Sequence, residues 1–311
     1  MIVLAFASLA IACGGDSQKG SAAQREASGL AASTVFDGAA AYAYAKTQFD
    51  FGPRVPGTPA AKKAGDWIIS QMRARADTVI VQSFTYTTAD GKKLPLRNIL
   101  ARFRPDLKER ILYLTHWDSR PISESAATEA ERKMPVPGAN DGASGVGMFV
   151  ALGDALRKTK PNVGVDLLFT DGEDYGQFGP PEVDVLIGAK YFATHLPSAD
   201  YKPLFGVLWD MIGDKDLRIP YEMLSFQQAP EVVSRVWQTA ADLGYAGIFV
   251  QESGGDVTDD HVPLLNAGIH VIDVIDLTFP PHHTPQDTMD KISAKSLKIV
   301  GDVATALVTR Q

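Results

Sequence analysis

The sequence predicts an α/β fold, a three-layer sandwich whose central mixed, largely parallel, twisted β-sheet is flanked by helices. Two observations carry this expectation. Short apolar, β-rich runs alternate with segments of helical period, the order that builds parallel sheets with crossover helices. Several runs are also continuously apolar, as strands covered on both faces must be. The candidate strands are Asn98 to Phe103, Ile111 to Trp117, Val165 to Thr170, Phe205 to Met211, Ile248 to Gln251 and Val271 to Leu277. The candidate helices are Ala40 to Phe49, Ala60 to Ala76, Ser144 to Lys158, Ile187 to His195, Glu231 to Leu243 and Ser293 to Val308. No second linker or repeat interrupts this alternation, so residues 34–311 read as one domain. The polar stretch Pro121 to Pro137, with Glu124, Glu129, Glu131, Arg132 and Lys133, reads as a surface excursion whose charges form a solvated face.

Composition narrows the function. With 311 residues and 45% hydrophobic content the chain can build a sizeable core, so no metal or disulfide is needed merely to hold it together. A metal, if bound, is therefore expected to serve function. Thirty Lys and Arg against 37 Asp and Glu leave a net charge of -7, which offers no electrostatic footprint for a phosphate backbone and argues against a nucleic-acid partner. The single cysteine, Cys13, closes the disulfide and Cys-rich zinc readings.

Residues 1–13 form an address segment. Met1 to Ala12 is an uncharged apolar run, too short to span a bilayer, which requires about 20 helical residues. Cys13, preceded by Leu9-Ala-Ile-Ala12 and followed by Gly14-Gly15-Asp16, resembles the bacterial lipobox, in which the cysteine is lipidated and becomes the N-terminus. The alternative is a buried N-terminal helix with a free thiol. Such a signal expects Lys or Arg ahead of the apolar run, so a few residues are expected before Met1. Residues 14–33, rich in Ser, Gly, Gln and Ala, read as a flexible tether. The expected location is the bacterial cell envelope, lipid-anchored and facing the periplasm.

Acidic residues and histidines recur just beyond the C-terminal ends of the apolar runs, where open α/β sheets place their ligand crevice. The segments are His116-Trp117-Asp118, the glycine-rich Gly138 to Gly145 with Asp141, Asp171-Gly172-Glu173-Asp174, Asp210 within Leu208 to Met211, Thr258-Asp259-Asp260-His261, and Pro281-His282-His283-Thr284-Pro285. On a strand, residues two apart share a face, so Asp118 can orient the His116 ring. Singly, each residue has a duller reading. Asp141 suits a helix N-cap, His261 and His270 suit satisfied structural histidines, and His195 suits the surface.

Asp210 is the exception. A carboxylate within a buried strand costs several kcal/mol unless it is paired, hydrogen-bonded or metal-bound. Several such groups at one crevice are most economically held ionised by a divalent cation. Histidine with oxygen donors and no thiolate fits catalytic zinc, whereas magnesium does not ask for imidazole. Glu173, beside the ligand candidate Asp174 but pointing elsewhere, is the natural general base.

Taken together, these motifs resemble the M28 zinc peptidase clan, over about Phe51 to the C-terminus. Within it, Phe51-Gly-Pro-Arg-Val-Pro-Gly57, Arg97-Asn-Ile and the doubled Asp259-Asp260 before His261 resemble the glutaminyl-peptide cyclotransferases, including bacterial members of the animal type. Many aminopeptidases of the clan carry Ser where Asp259 stands. The resemblance implies an enzyme that converts the N-terminal glutamine of peptides and proteins to pyroglutamate, releasing ammonia. It implies one Zn2+ on Asp141, Asp174 and His283, with Glu173 as the proton shuttle in a network with Asp210 and Asp259. Two departures stand out: Asp174 replaces the family's usual Glu, and His282 replaces a Trp of the substrate pocket. One alternative is an M28 aminopeptidase holding a second Zn2+ on His116 and Asp210, bridged through Asp141. The other is a non-catalytic peptide-binding lipoprotein.

Overall fold

The computed structural model describes residues 36–309. The expected signal segment with Cys13 and the tether 14–33 lie outside the described residues. The elements in order are α1 (Gly38–Phe49), α2 (Pro59–Arg73), β1 (Thr78–Thr87), β2 (Lys93–Phe103), β3 (Arg110–His116), α3 (Glu129–Arg132), α4 (Ala143–Lys158), β4 (Gly164–Thr170), α5 (Ile187–Thr194) and β5 (Phe205–Asp210). They continue as β6 (Ile219–Tyr221), α6 (Met223–Gln228), α7 (Pro230–Asp242), β7 (Phe249–Ser253), α8 (His261–Asn266), β8 (Val271–Ile275) and α9 (Ala294–Thr309). The main sheet has the order β1-β2-β4-β3-β5-β8. β2 pairs antiparallel with β1 and β4, while β4, β3, β5 and β8 pair in parallel. The sheet is therefore mixed and largely parallel, as expected.

The period of two in the strands builds the three layers. Ile111 and Tyr113 of β3, Val165, Leu167 and Phe169 of β4, and Val207 and Trp209 of β5 face one core, shared with α1, α2, α4, α7 and α9. The intervening Leu112, Leu114, Leu168 and Leu208 face the other, shared with Ala189 and Phe192 of α5 and Leu264 of α8. Full burial of each such side chain contributes about 1.5–3 kcal/mol, so a one-residue slip in register would forfeit a whole row. α4 lies close to the sheet because position 145 is glycine: a Cβ there would collide with the Thr115 side chain and approach the Trp209 carbonyl at 2.9 Å.

The structure corrects three expectations. Phe249–Ser253 leaves the main sheet and pairs with Ile219–Tyr221 in a separate two-stranded ribbon. β1 was not expected, because as an edge strand it has only the short apolar run Val79-Ile80-Val81, holds no fully buried residue and alternates exposed and half-buried residues from Ser83 onward. The excursion 121–137 is mostly exposed, yet Ser123, Ala126 and Val136 are buried and Glu124, though exposed, is paired. The short helices α3, α6 and α8, of 4–6 residues, are shorter than helical periodicity can reveal.

Candidate metal centre and active site

Because β3, β4, β5 and β8 run parallel, their C-terminal ends share one edge of the sheet. His116 and Asp210 are the last residues of β3 and β5, and Asp171 to Asp174 follow β4 directly. A cavity of about 430 Å³ opens at this edge, lined by Asp141, Glu173, Asp174, Asp210, Asp259 and His283 among others. A larger cleft of about 670 Å³, between the start of α2 and β1 and β2, includes one carboxylate, Asp171, in its lining. The acid cluster marks the smaller cavity as the chemical one.

Asp141 sits between two histidines. Its Oδ1 lies 3.0 Å from His116 Nε2 and its Oδ2 lies 3.6 Å from His283 Nε2. His116 Nε2 also approaches Asp210 Oδ1 at 3.2 Å, and His283 Nε2 approaches Asp174 Oδ1 at 3.5 Å. In the expected trio, Asp141 and Asp174 each stand within 3.6 Å of His283 Nε2. Among the described residues, two groups have all their ligand atoms within 4.8 Å of one another: His116, Asp141 and Asp210, and Asp141, His282 and His283. They share Asp141, but Asp174 belongs to neither. Asp174 Oδ2 is buried without a hydrogen-bond partner, and buried His116 Nε2 and Asp210 Oδ1 meet only each other and Asp141, although a buried polar atom left unpaired costs about 1–3 kcal/mol. Convergent lone pairs left free in this way fit a cation, and imidazole with carboxylates fits zinc.

The supporting bonds explain how these side chains stay free. Asp118, fully buried, places Oδ1 at 3.4 Å from His116 Nδ1, as expected, and also accepts the Glu173 and Asp174 backbone N–H groups at 3.1 and 3.2 Å. Asp141 does not cap α4. Gly142, at φ +92°, is the cap residue, a conformation that favours glycine, and the Asp141 side chain turns to the histidines. Buried Asp287 accepts the N–H groups of Asn140 and Asp141 at 2.8 and 3.0 Å. Buried Arg54 donates to the Gly138 carbonyl at 2.7 Å and to the Pro137 carbonyl.

Glu173 is 7% exposed, with Oε2 at 3.6 Å from His116 Nδ1. Burial, reinforced by Asp174, Asp259 and Asp260, pushes its carboxyl well above the usual range, although His116 pulls the other way. Asp259, also buried, is pushed up by burial and then by Asp210 and Asp260. Burial disfavours charge on both His116 and His283, but Asp210 and Glu173 outweigh it at His116, and Asp174, Glu124 and Asp141 outweigh it at His283, which rises to about 10. The field of the site therefore calls for positive charge, which protons supply where a metal does not.

Several residues at the site carry no sequence-based assignment. Arg54 falls inside a motif quoted above without a role, and Asp287 stands two residues beyond the last of them. Arg120 follows His116-Trp117-Asp118 closely, and its Nη1 bonds Asp174 Oδ1 at 2.6 Å while its guanidinium stands over the Phe178 ring. The other histidines match their duller readings in part. His195 and His270 are on the surface, whereas His261 is fully buried with Nε2 at 3.3 Å from Glu222 Oε2 and Nδ1 without a partner.

Residues 98–308 match the model of peptidase family M28. Bovine glutaminyl-peptide cyclotransferase is 25% identical over 82% of this chain and 77% of its own. A glutaminyl cyclase of Bacteroides thetaiotaomicron, solved with N-acetylhistamine, superposes with a TM-score of 0.85 at 35% identity, covering 89% of this chain and 98% of that one. A leucine aminopeptidase precursor from the same organism superposes with a TM-score of 0.86 at 35% identity over the same shares. With the strand-end acid and histidine cluster in place and the family model spanning most of the sheet, the chain belongs to peptidase family M28.

Proposed function

We propose that this chain is a zinc-dependent glutaminyl-peptide cyclotransferase, acting on the N-termini of peptides and proteins. The observation that carries the reading is the buried acid set Glu173, Asp210 and Asp259, which lines one cavity with the donors of the metal centre. Glutaminyl cyclases covering nearly their whole length support it. Asp141, Asp174 and His283 would hold a single zinc ion, whose chemistry when bound is that of a Lewis acid for the amide carbonyl of the glutamine side chain.

The other steps belong to the protein. Glu173 accepts a proton from the substrate's α-amine as that nitrogen attacks the side-chain carbonyl carbon. A carbon–nitrogen bond forms to the α-nitrogen, and the bond to the amide nitrogen breaks. Glu173 returns the proton to the departing nitrogen, which leaves as ammonia. A raised carboxyl pKa suits this exchange, since a base works best with its pKa near the working pH. Asp259 and Asp210 hold Glu173 in the network and restrict where the proton travels. Both reacting groups belong to one residue, so positioning replaces an activated water.

The second reading, an aminopeptidase, is favoured by one observation: His116, Asp141 and Asp210 form a second donor group. Mass spectrometry of a peptide beginning Gln-Phe separates the two. Loss of ammonia with the chain intact, abolished by a chelator, is the expected result, and release of free glutamine would overturn it. Lipid anchoring through Cys13 in a bacterial envelope, facing the periplasm, is part of the same proposal. Incorporation of labelled palmitate that persists in Cys13→Ala would refute it.

A further inference from the structure

The excursion 121–137 contributes one carboxylate that touches one proposed ligand, His283, and the arginine that supports another, Asp174. Glu124 Oε1 lies 2.7 Å from His283 Nδ1, and Oε2 accepts from Arg120 Nε at 2.6 Å. Arg120 in turn donates from Nη1 to Asp174 Oδ1 at 2.6 Å. The backbone joins the same contact, because the Ser125 N–H donates to the His283 carbonyl at 3.2 Å. That bond matters at a residue whose φ is +54°, a left-handed conformation uncommon for residues other than glycine and costly enough to need support from its surroundings. Nearby, Gln286 Nε2 bonds Glu131 Oε1 at 3.3 Å.

We infer that Glu124 is a positioning residue for the metal centre. Its Oε1 fixes the Nδ1–H tautomer of His283, so that Nε2 presents a lone pair toward Asp141 and Asp174. Its Oε2, through Arg120, occupies Asp174 Oδ1 and leaves Oδ2, which is buried and without a hydrogen-bond partner, as the free donor. Carboxylates that orient metal-bound imidazoles in this way typically change metal affinity by about 10–100-fold. The Glu124 side chain is 39% exposed, so solvent screens it and the lower end applies, about tenfold. The inference rests on the zinc reading above, but it concerns binding rather than turnover.

The test is zinc affinity of the purified full chain, measured by competition with a chromophoric chelator. Glu124→Ala is expected to bind zinc about tenfold more weakly. Glu124→Gln keeps one oxygen able to accept from Nδ1 but sets an amide NH2 against the Arg120 Nε donor, so it is expected to recover part of that loss. Glu129→Ala, on the same excursion and paired with exposed Lys133, is expected to match the wild type. Unchanged affinity in Glu124→Ala overturns the inference while leaving the zinc reading intact. Equal weakening in Glu124→Ala and Glu129→Ala also overturns it, since that marks general loosening of the excursion. Absence of zinc binding by the wild type overturns both. Should Glu124→Ala not fold, Glu124→Gln decides against a second control, Glu124→Leu: equal affinity of the two overturns the inference.

Discussion

Glu173→Gln removes the proposed base and leaves its shape. The amide is nearly isosteric with the carboxyl, and the N–H of residue 173 remains bonded to Asp118 Oδ1, so the loop keeps its place. General bases contribute about 10²–10⁴ to rate, and a residue 7% exposed admits little bulk water as a substitute proton acceptor, which points to the upper part of that range. The expected loss in kcat/KM is about 10³–10⁴, or roughly 4–5.5 kcal/mol in the barrier. Stability moves the other way. A neutral amide relieves repulsion from Asp174, Asp259 and Asp260, so Tm is expected not to fall. Ammonia release from a Gln-Phe peptide, zinc content by mass spectrometry and thermal unfolding are read on one preparation. Zinc lost together with activity would mean that Glu173 is a ligand. Activity within tenfold of wild type would mean that another group moves the proton. Either result refutes the assignment.

Two further outcomes follow from the supports. Asp287→Asn is expected to lower unfolding free energy by about 1–3 kcal/mol, because an amide cannot accept from both loop N–H groups and leaves one buried donor unpaired; denaturant titration showing equal or greater stability would contradict this. Glu222 is buried, and although burial pushes its carboxyl up, bonds from His261 and Ser225 carry it from 4.5 down to about 2. A depressed folded pKa means that its stabilisation is complete above pH 4.5 and is lost as pH falls toward 2, by about 3 kcal/mol at most. The stability difference between wild type and Glu222→Gln should therefore shrink across that window, and a difference independent of pH would exclude the linkage.

Strands β3 and β5 were legible because burial on both faces leaves an apolar run, β4 because its run is broken only by Asp166, and polar residues at their ends then stand out. The same rule hides β1, whose outer edge faces solvent. It also misplaces Phe249–Ser253, since a run of that kind marks a strand without naming its partner. At the site, the residues expected to do chemistry were recognisable by type and by position after strands. Those that hold them were not. Glu124 shares its stretch with Glu129, Glu131 and Lys133, and only the close approach of residue 283, 159 positions away, separates it from an ordinary solvated charge.

The ligand loop shows why such supports are charged. Residues 137–141 lie between strand β3 and helix α4 with no ladder to take their backbone groups, and a buried N–H or C=O without a partner is costly. Apolar packing cannot answer that need. A guanidinium offers five donors and a carboxylate about four acceptor sites, so Arg54 and Asp287 together serve Pro137, Gly138, Asn140 and Asp141 from two side chains. Their opposite charges also favour each other within the interior, where burial lowers Arg54 to about 10 although Asp287 and Asp141 pull it up, and burial with Asp141 raises Asp287 to about 7 although the loop N–H groups and Arg54 pull it down. The consequence reaches the chemistry directly. Because the Asp141 backbone is satisfied on both sides by neighbours outside the cavity, its carboxylate caps no helix and is free to face His116 with one oxygen and His283 with the other.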